Sequence, residues 1–279
     1  MLHRALMLLS SFALAACAAA PDSFDSVDDE DTDATRLGAE GGTHWSLYLH
    51  GRTTYGYPEG WSYWGGARPG VNAVPVNYDG SACIGESNPD VVAALDGYCQ
   101  GGDWCYVACH SLGCAQIGYA LAMFGTTASG GSRWNIAWID GAGSAAGGSE
   151  LANAGSWTQG DCVSSDLRTS VVRALYDHNA TAGVRAYLFA GSNGGAGSAL
   201  LPGQDDGVVA YHSAGGVRTT GSYCNPGDWG CSGTLPVGKS TALYAYHEVY
   251  FRDDGESFAH SATSGITSVV YDDMAAYAK

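Results

Sequence analysis

The apolar run Trp104 to Cys109 (WCYVAC) passes, with only His110 between, into Ser111 to Phe124, where Leu112, Ala115, Tyr119, Ala122 and Met123 recur at helical spacing. A buried strand that becomes a helix at once leaves no space for a loop, so the turn between them must be sharp and the helix must pack back on the sheet. That demand points to layered helix and sheet rather than hairpins. The rest of the chain repeats the alternation. His44 to Leu49 (HWSLYL) reads as a strand stopped by His50-Gly51, and Asn72 to Tyr78 (NAVPVNY) as a second, with Pro75 suggesting an edge or bulge position. A helix is expected from Pro89, capped by Asn88, with Val91, Val92 and Leu95 on one face. Further strands are expected at Asn135 to Ile139, ending in Asp140-Gly141, at Val184 to Ala190 and at Thr241 to Tyr250, with helices at Ser165 to Asp177 and Thr267 to Ala278. Strands alternating with helices predict an α/β fold, a mostly parallel sheet flanked by helices.

The first 42 residues lie outside this pattern. Met1 to Ala16 has a short basic start at Arg4, an apolar run and small residues at its end, the pattern of a secretory signal too short to persist as a bilayer-spanning helix. Residues 17–42 hold Asp22, Asp25, Asp28, Asp29, Glu30, Asp31 and Asp33 with almost no apolar side chains, so they cannot offset their own ordering entropy and are expected to form a solvated tether. Residues 43–279 remain for one domain. The 28 acidic and 12 basic residues give a net charge of −16, which argues against a nucleic-acid partner, since that needs a basic surface.

Leu14-Ala15-Ala16-Cys17 resembles the lipobox of bacterial lipoproteins, in which the cysteine is acylated and becomes the mature N-terminus. The resemblance implies a cell-envelope location, anchored to a membrane through lipid on Cys17, and Ala18 in place of Asp favours the outer membrane. An ordinary signal peptide containing Cys17 is the alternative. Eight cysteines remain: Cys83, Cys99, Cys105, Cys109, Cys114, Cys162, Cys224 and Cys231. An even number in an exported chain suggests disulfides, and Cys224 with Cys231, which bracket a turn-rich segment, are the first pair expected. A metal site is the competing use, but no cysteine pair has two-residue spacing and the histidines are scattered.

Cys109-His110-Ser111-Leu112-Gly113 sits where strand meets helix, the context in which a serine hydroxyl is lifted clear of the backbone at a helix N-terminus. Here the chain resembles the α/β-hydrolase superfamily, and within it the secreted bacterial lipases and esterases. Leu47 to Arg52 looks like the His-Gly turn of those lipases, Asn135 to Ala152 like their Gly-rich turn, and Asp205-Asp206-Gly207-Val208-Val209 like the turn that carries the acid. The resemblance implies a single-domain α/β-hydrolase fold and a serine hydrolase that cleaves small-molecule or lipid esters through an acyl-enzyme, with no cofactor and no metal. By the family's chain order it implies Ser111 as nucleophile, Asp206 as acid and His260 as base, with the backbone N–H groups of Arg52 and Leu112 as oxyanion hole.

Alternatives stand beside each role. Asp205 rivals Asp206, and Asp140 lies at the end of the strand after the elbow; His212 is close to Asp206 in sequence, and His247 falls inside a strand. Cys109 replaces the family's usual Gly two residues before the serine. Paired with Cys114 it would staple the turn; free, it would offer a thiol nucleophile. The aromatic loop Thr53 to Gly70, with Tyr55, Tyr57, Trp61, Tyr63 and Trp64, either caps the core or walls the site. The non-enzymatic alternative is an inactive hydrolase fold kept as a surface lipoprotein that binds glycan or another ligand.

Overall fold

The computed structural model describes residues 41–155, 160–191, 193–195, 197–202, 205–214, 247–251 and 258–279. Six strands form one sheet: β1 (His44–Leu49), β2 (Ala73–Val76), β3 (Trp104–His110), β4 (Ile136–Ala142), β5 (Ala186–Ala190) and β6 (His247–Phe251). Their spatial order is β2-β1-β3-β4-β5-β6, and all five pairings are parallel. Helices α1 (Ile84–Tyr98), α2 (Leu112–Phe124), α3 (Glu150–Asn153), α4 (Cys162–Asp166), α5 (Thr169–Leu175), α6 (Tyr211–Ala214) and α7 (Thr267–Tyr277), with a 3₁₀ turn at Ser198–Leu200, complete the described elements. Among the described residues, no helix is long and apolar enough to cross a membrane.

Both sheet faces are buried, which explains the continuous apolar runs in the strands. Alternate residues of β3 divide between them. Cys105, Val107 and Cys109 join Val91 and Leu95 of α1 and Leu112, Ala115 and Ile117 of α2 in one core, while Tyr106 and Ala108 join Tyr48, Trp138, Tyr187, Val269 and Met274 in the other. Pro75 lies on β2 at the sheet edge, where its missing N–H removes no bond from an outer neighbour. The chain leaves β1 for β2 on one side and returns to β3 on the other. The loops after β1 and β3 therefore diverge and open a crevice at the carboxyl ends of those strands.

Three expectations are corrected by tertiary contacts. Helix α1 begins at Ile84 rather than at Pro89, which lies inside it; the Cys83–Cys162 disulfide and an Ile84 N–H bond of 2.8 Å to the Asp166 carboxylate anchor the earlier turn. Strand β4 runs on through Asp140-Gly141 to Ala142, so Asp140 is a fully buried strand residue and not a turn. The single helix expected at Ser165 to Asp177 is two, α4 and α5, broken around Leu167. Two further disulfides, Cys99–Cys105 and Cys109–Cys114, occur among the described residues. The expected Cys224–Cys231 pair, residues 1–40 with Cys17 and its tether, and residues 241–246 of the expected last strand lie outside the described residues.

Candidate active site

The end of β3 fixes Ser111. Its backbone sits at φ 54° and ψ −120°, a conformation non-glycine residues rarely adopt, and the next residue is the first of α2. Three bonds hold it there: Ser111 N–H donates to the Ala142 carbonyl at 3.1 Å, and the Ser111 carbonyl accepts from Ala145 N–H at 3.0 Å and from Cys114 N–H at 3.1 Å. The close approach also requires Gly113, because a Cβ there would lie 2.5 Å from the Leu49 carbonyl oxygen and 2.7 Å from that of His50. Helix α2 thus lies directly on the backbone of β1, and its first N–H groups, Leu112 included, lack intrahelical acceptors and face the end of the sheet.

The Cys109–Cys114 disulfide spans the elbow. Cys109 is fully buried and bonded, so a thiol nucleophile there is excluded in this state. Room for the bridge comes from the neighbouring strand. Gly141 pairs with Cys109 in register, and a Cβ on it would lie 3.1 Å from the Cys114 sulfur, 3.3 Å from the Cys109 sulfur and 2.6 Å from Leu188 Cδ2. The glycine that gives the bridge its room thus sits on the neighbouring strand rather than two residues before Ser111.

Asp206 and His260, 54 positions apart in sequence, meet side chain to side chain. His260 Nδ1 lies 2.7 Å from Asp206 Oδ2, and His260 N–H donates to the Asp206 carbonyl at 2.9 Å. A carboxylate can only accept, so the ring proton sits on Nδ1 and Nε2 keeps its lone pair. Val208 N–H and Val209 N–H donate to the other carboxylate oxygen, at 3.0 and 2.7 Å, which anchors the Asp206 side chain. The Asp206 side chain is 1% exposed and that of His260 is 9%. Asp205 is turned elsewhere: its Oδ1 accepts from the Gly207 N–H at 2.7 Å and from the Ser198 hydroxyl at 2.7 Å. It shapes the loop, whose Gly207 takes φ 92°. His247 lies on β6 and His212 on α6.

Two glycines mark how tightly the backbone passes the Asp206–His260 pair and Ser111. A Cβ on Gly143, one residue past the Ala142 carbonyl that holds Ser111, would lie 2.7 Å from Asp206 Oδ2 and 2.8 Å from His260 Nδ1. A Cβ on Gly51 would lie 2.9 Å from Ser111 Cβ and collide with the Tyr63 hydroxyl. The His-Gly turn that brings Gly51 and Arg52 here is locked by His50, whose Nδ1 lies 2.6 Å from the Gly51 carbonyl oxygen, whose Nε2 lies 3.1 Å from that of Tyr78, and whose ring stacks on Tyr78 at 3.9 Å. Burial pushes the His50 pKa down from 6.5 to about 4 despite those carbonyls. The Arg52 guanidinium pairs with Asp161 at the start of α4, which fixes the far side of the turn.

The aromatic loop packs on the core through part of its length. Trp64 is buried against Tyr48, Tyr63 and His110, whereas Tyr55 and Tyr57 are exposed. Sequence reasoning named Tyr63 only as one of the loop aromatics and Gly143 only within the Gly-rich stretch, and gave His110 no role of its own. His110 adjoins Ser111 and was readable as a neighbour only. Tyr63 lies in a segment without periodicity, and nothing in the sequence pairs it with a residue 47 positions away.

No protein-family model matches the chain, and no curated protein matches it. Among solved structures, the mature form of a Bacillus licheniformis lipase matches with a TM-score of 0.54 at 13% identity, over 86% of this chain and 94% of that one. A metagenomic carboxyl esterase is also similar, with a TM-score of 0.48 at 17% identity over 63% of this chain and 61% of that one. At such identity the likeness speaks for fold. The chain has the α/β-hydrolase fold, a parallel sheet flanked by helices with its candidate site at the carboxyl ends of the strands.

Proposed function

We propose that the protein is a serine hydrolase that cleaves carboxylic esters through an acyl-enzyme, with Ser111 as nucleophile, His260 as base and Asp206 as the carboxylate that orients the base. The observation that carries the proposal is the joint geometry of a positive-φ serine at a strand-to-helix turn and a histidine whose Nδ1 is held by a buried, doubly anchored carboxylate. The Bacillus licheniformis lipase that shares the fold supports the choice of ester over other acyl substrates.

In this reading His260 Nε2 takes the Ser111 hydroxyl proton as Oγ attacks the ester carbonyl. The oxyanion is held by the N–H groups of Leu112 and Arg52, each worth about 3 kcal/mol in the transition state. His260 then gives its proton to the departing alcohol, and a water, activated by the same imidazole, releases the acid. No cofactor or metal takes part. We further propose export and attachment to the envelope, at the outer membrane, through acylated Cys17, a reading supported by the Leu14-Ala15-Ala16-Cys17 run and the acidic stretch after it. A protein held at a membrane surface meets small or lipid esters there.

The test is turnover of an activated ester. Ser111→Ala and His260→Ala should each lower kcat on the order of 10⁴- to 10⁶-fold, and Asp206→Asn by less. His247→Ala and Asp205→Asn should be milder than their counterparts. Full activity in a folded Ser111→Ala protein ends the proposal, and a folded wild type without esterase activity favours the ligand-binding lipoprotein.

A further inference from the structure

His110 completes β3 immediately before Ser111, is 2% exposed, and lies with its ring 4.6 Å from the His260 ring at an angle of 39°. Its Nδ1 is 2.5 Å from the Tyr63 hydroxyl. Tyr63 is itself fixed from several sides: its ring lies against those of Trp64 at 5.3 Å and His50 at 5.4 Å, and its hydroxyl fills the space beside Gly51 that a side chain would otherwise occupy. A second imidazole is thus clamped against the first.

We propose that Tyr63 and His110 act as one positioning unit for His260, with the Tyr63 hydroxyl anchoring the His110 ring and the His110 ring face holding His260 toward Ser111. The inference rests on the serine-hydrolase reading above. Packing alone does not call for this pair. A buried imidazole is a poor filler, and His110 Nε2 has no hydrogen-bond partner among the described residues, a condition that carries a desolvation cost an apolar side chain would avoid. The compensation lies in the contact with the base.

When His260 takes the proton from Ser111 it becomes a cation beside an aromatic face, and that contact strengthens as charge develops. The attraction requires His110 itself to stay neutral. Burial, with the neighbouring His260 and His50 adding in the same direction, holds its pKa well below the ordinary histidine value. Tyr63 is likewise kept protonated, since burial pushes its pKa up against the opposing hydrogen bond from the Gly51 main chain. The hydroxyl and Nδ1 share one hydrogen bond, and a neutral ring serves that bond with either nitrogen protonated. Because the gain appears in the transition state, losing the pair should lower kcat and leave KM unchanged.

The experiment measures kcat and KM for 4-nitrophenyl acetate, with thermal unfolding alongside, for wild type, Tyr63→Phe, His110→Phe, the Tyr63→Phe/His110→Phe double variant, His110→Ala and Ser111→Ala. His110→Ala, which removes the ring face, should lose about tenfold in kcat with KM unaltered. His110→Phe restores a face without the anchor, so it and Tyr63→Phe should each lose roughly threefold, and the double variant no more than either, because both act through one hydrogen bond. Should His110→Ala fail to fold, the two Phe variants carry the same test. Unchanged kcat in the His110 and Tyr63 variants, losses confined to KM, or losses that multiply in the double variant would overturn the inference while leaving the serine-hydrolase reading intact if Ser111→Ala is inactive. Activity that survives in Ser111→Ala would overturn both.

Discussion

Replacing Cys109 and Cys114 together by alanine asks what the disulfide does for the elbow. The two residues are five positions apart, and Ser111, at φ 54°, lies inside the loop they close. Chain entropy for a loop of that length gives the bridge about 2 kcal/mol of stabilisation. A non-glycine residue held in a sparsely populated backbone region costs on the order of 1–3 kcal/mol. The bridge is therefore of the size needed to hold Ser111 in its strained conformation. In a domain of this length its loss should lower the thermal midpoint by roughly 4–8 °C. Released by about 1 kcal/mol, the elbow would populate relaxed conformers that do not present the hydroxyl, and kcat should fall several-fold. Differential scanning calorimetry without reductant and turnover of an activated ester measure both on one preparation, with the Cys83–Cys162 and Cys99–Cys105 bridges left intact. A midpoint within about 1 °C of wild type, together with unchanged kcat, would show that the sulfurs only fill space beside Gly141.

Gly143→Ala would drive a methyl into the Asp206–His260 contact at a position with φ 50°; kcat should fall on the order of 10²-fold or more, read by steady-state kinetics, with secondary structure by circular dichroism unchanged. Stability should fall as pH drops. His50 is depressed from 6.5 to about 4 in the folded state, so between those values the unfolded chain binds the extra proton and this residue alone removes about 3 kcal/mol by pH 4, with buried His110 adding to the loss in the same direction; urea titrations at pH 7 and pH 4 measure the sum. Cys17→Ser should move the protein from the detergent to the aqueous phase in a phase-partition assay, and equal partition of the two forms would exclude the anchor.

Much of this architecture was legible because it is local. Strands such as β1 and β3 show themselves as apolar runs bounded by turns, and Ser111 is marked by the junction of two periodicities. Where legibility failed, distance in sequence was the reason. The start of α1 depends on Cys162, 79 residues from Cys83. The Asp140-Gly141 turn signal gives way to a strand because Gly141 is used for its missing side chain against the elbow disulfide. Neighbouring carboxylates could not be separated either. Asp205 and Asp206 differ in direction only through the turn around Gly207, which sends one to Ser198 and the other to His260. The contact between Tyr63 and His110 was hidden for the same cause, since it joins an aperiodic loop to a strand end.

The central claim is that Ser111 is a nucleophile activated by His260, and covalent labelling with a fluorophosphonate tests it most directly. Peptide mapping by mass spectrometry of the labelled, folded protein should find the phosphonyl adduct on Ser111, absent in Ser111→Ala and formed far more slowly in His260→Ala. A folded protein that takes no label, or one labelled at another residue with Ser111 unmodified, would contradict it.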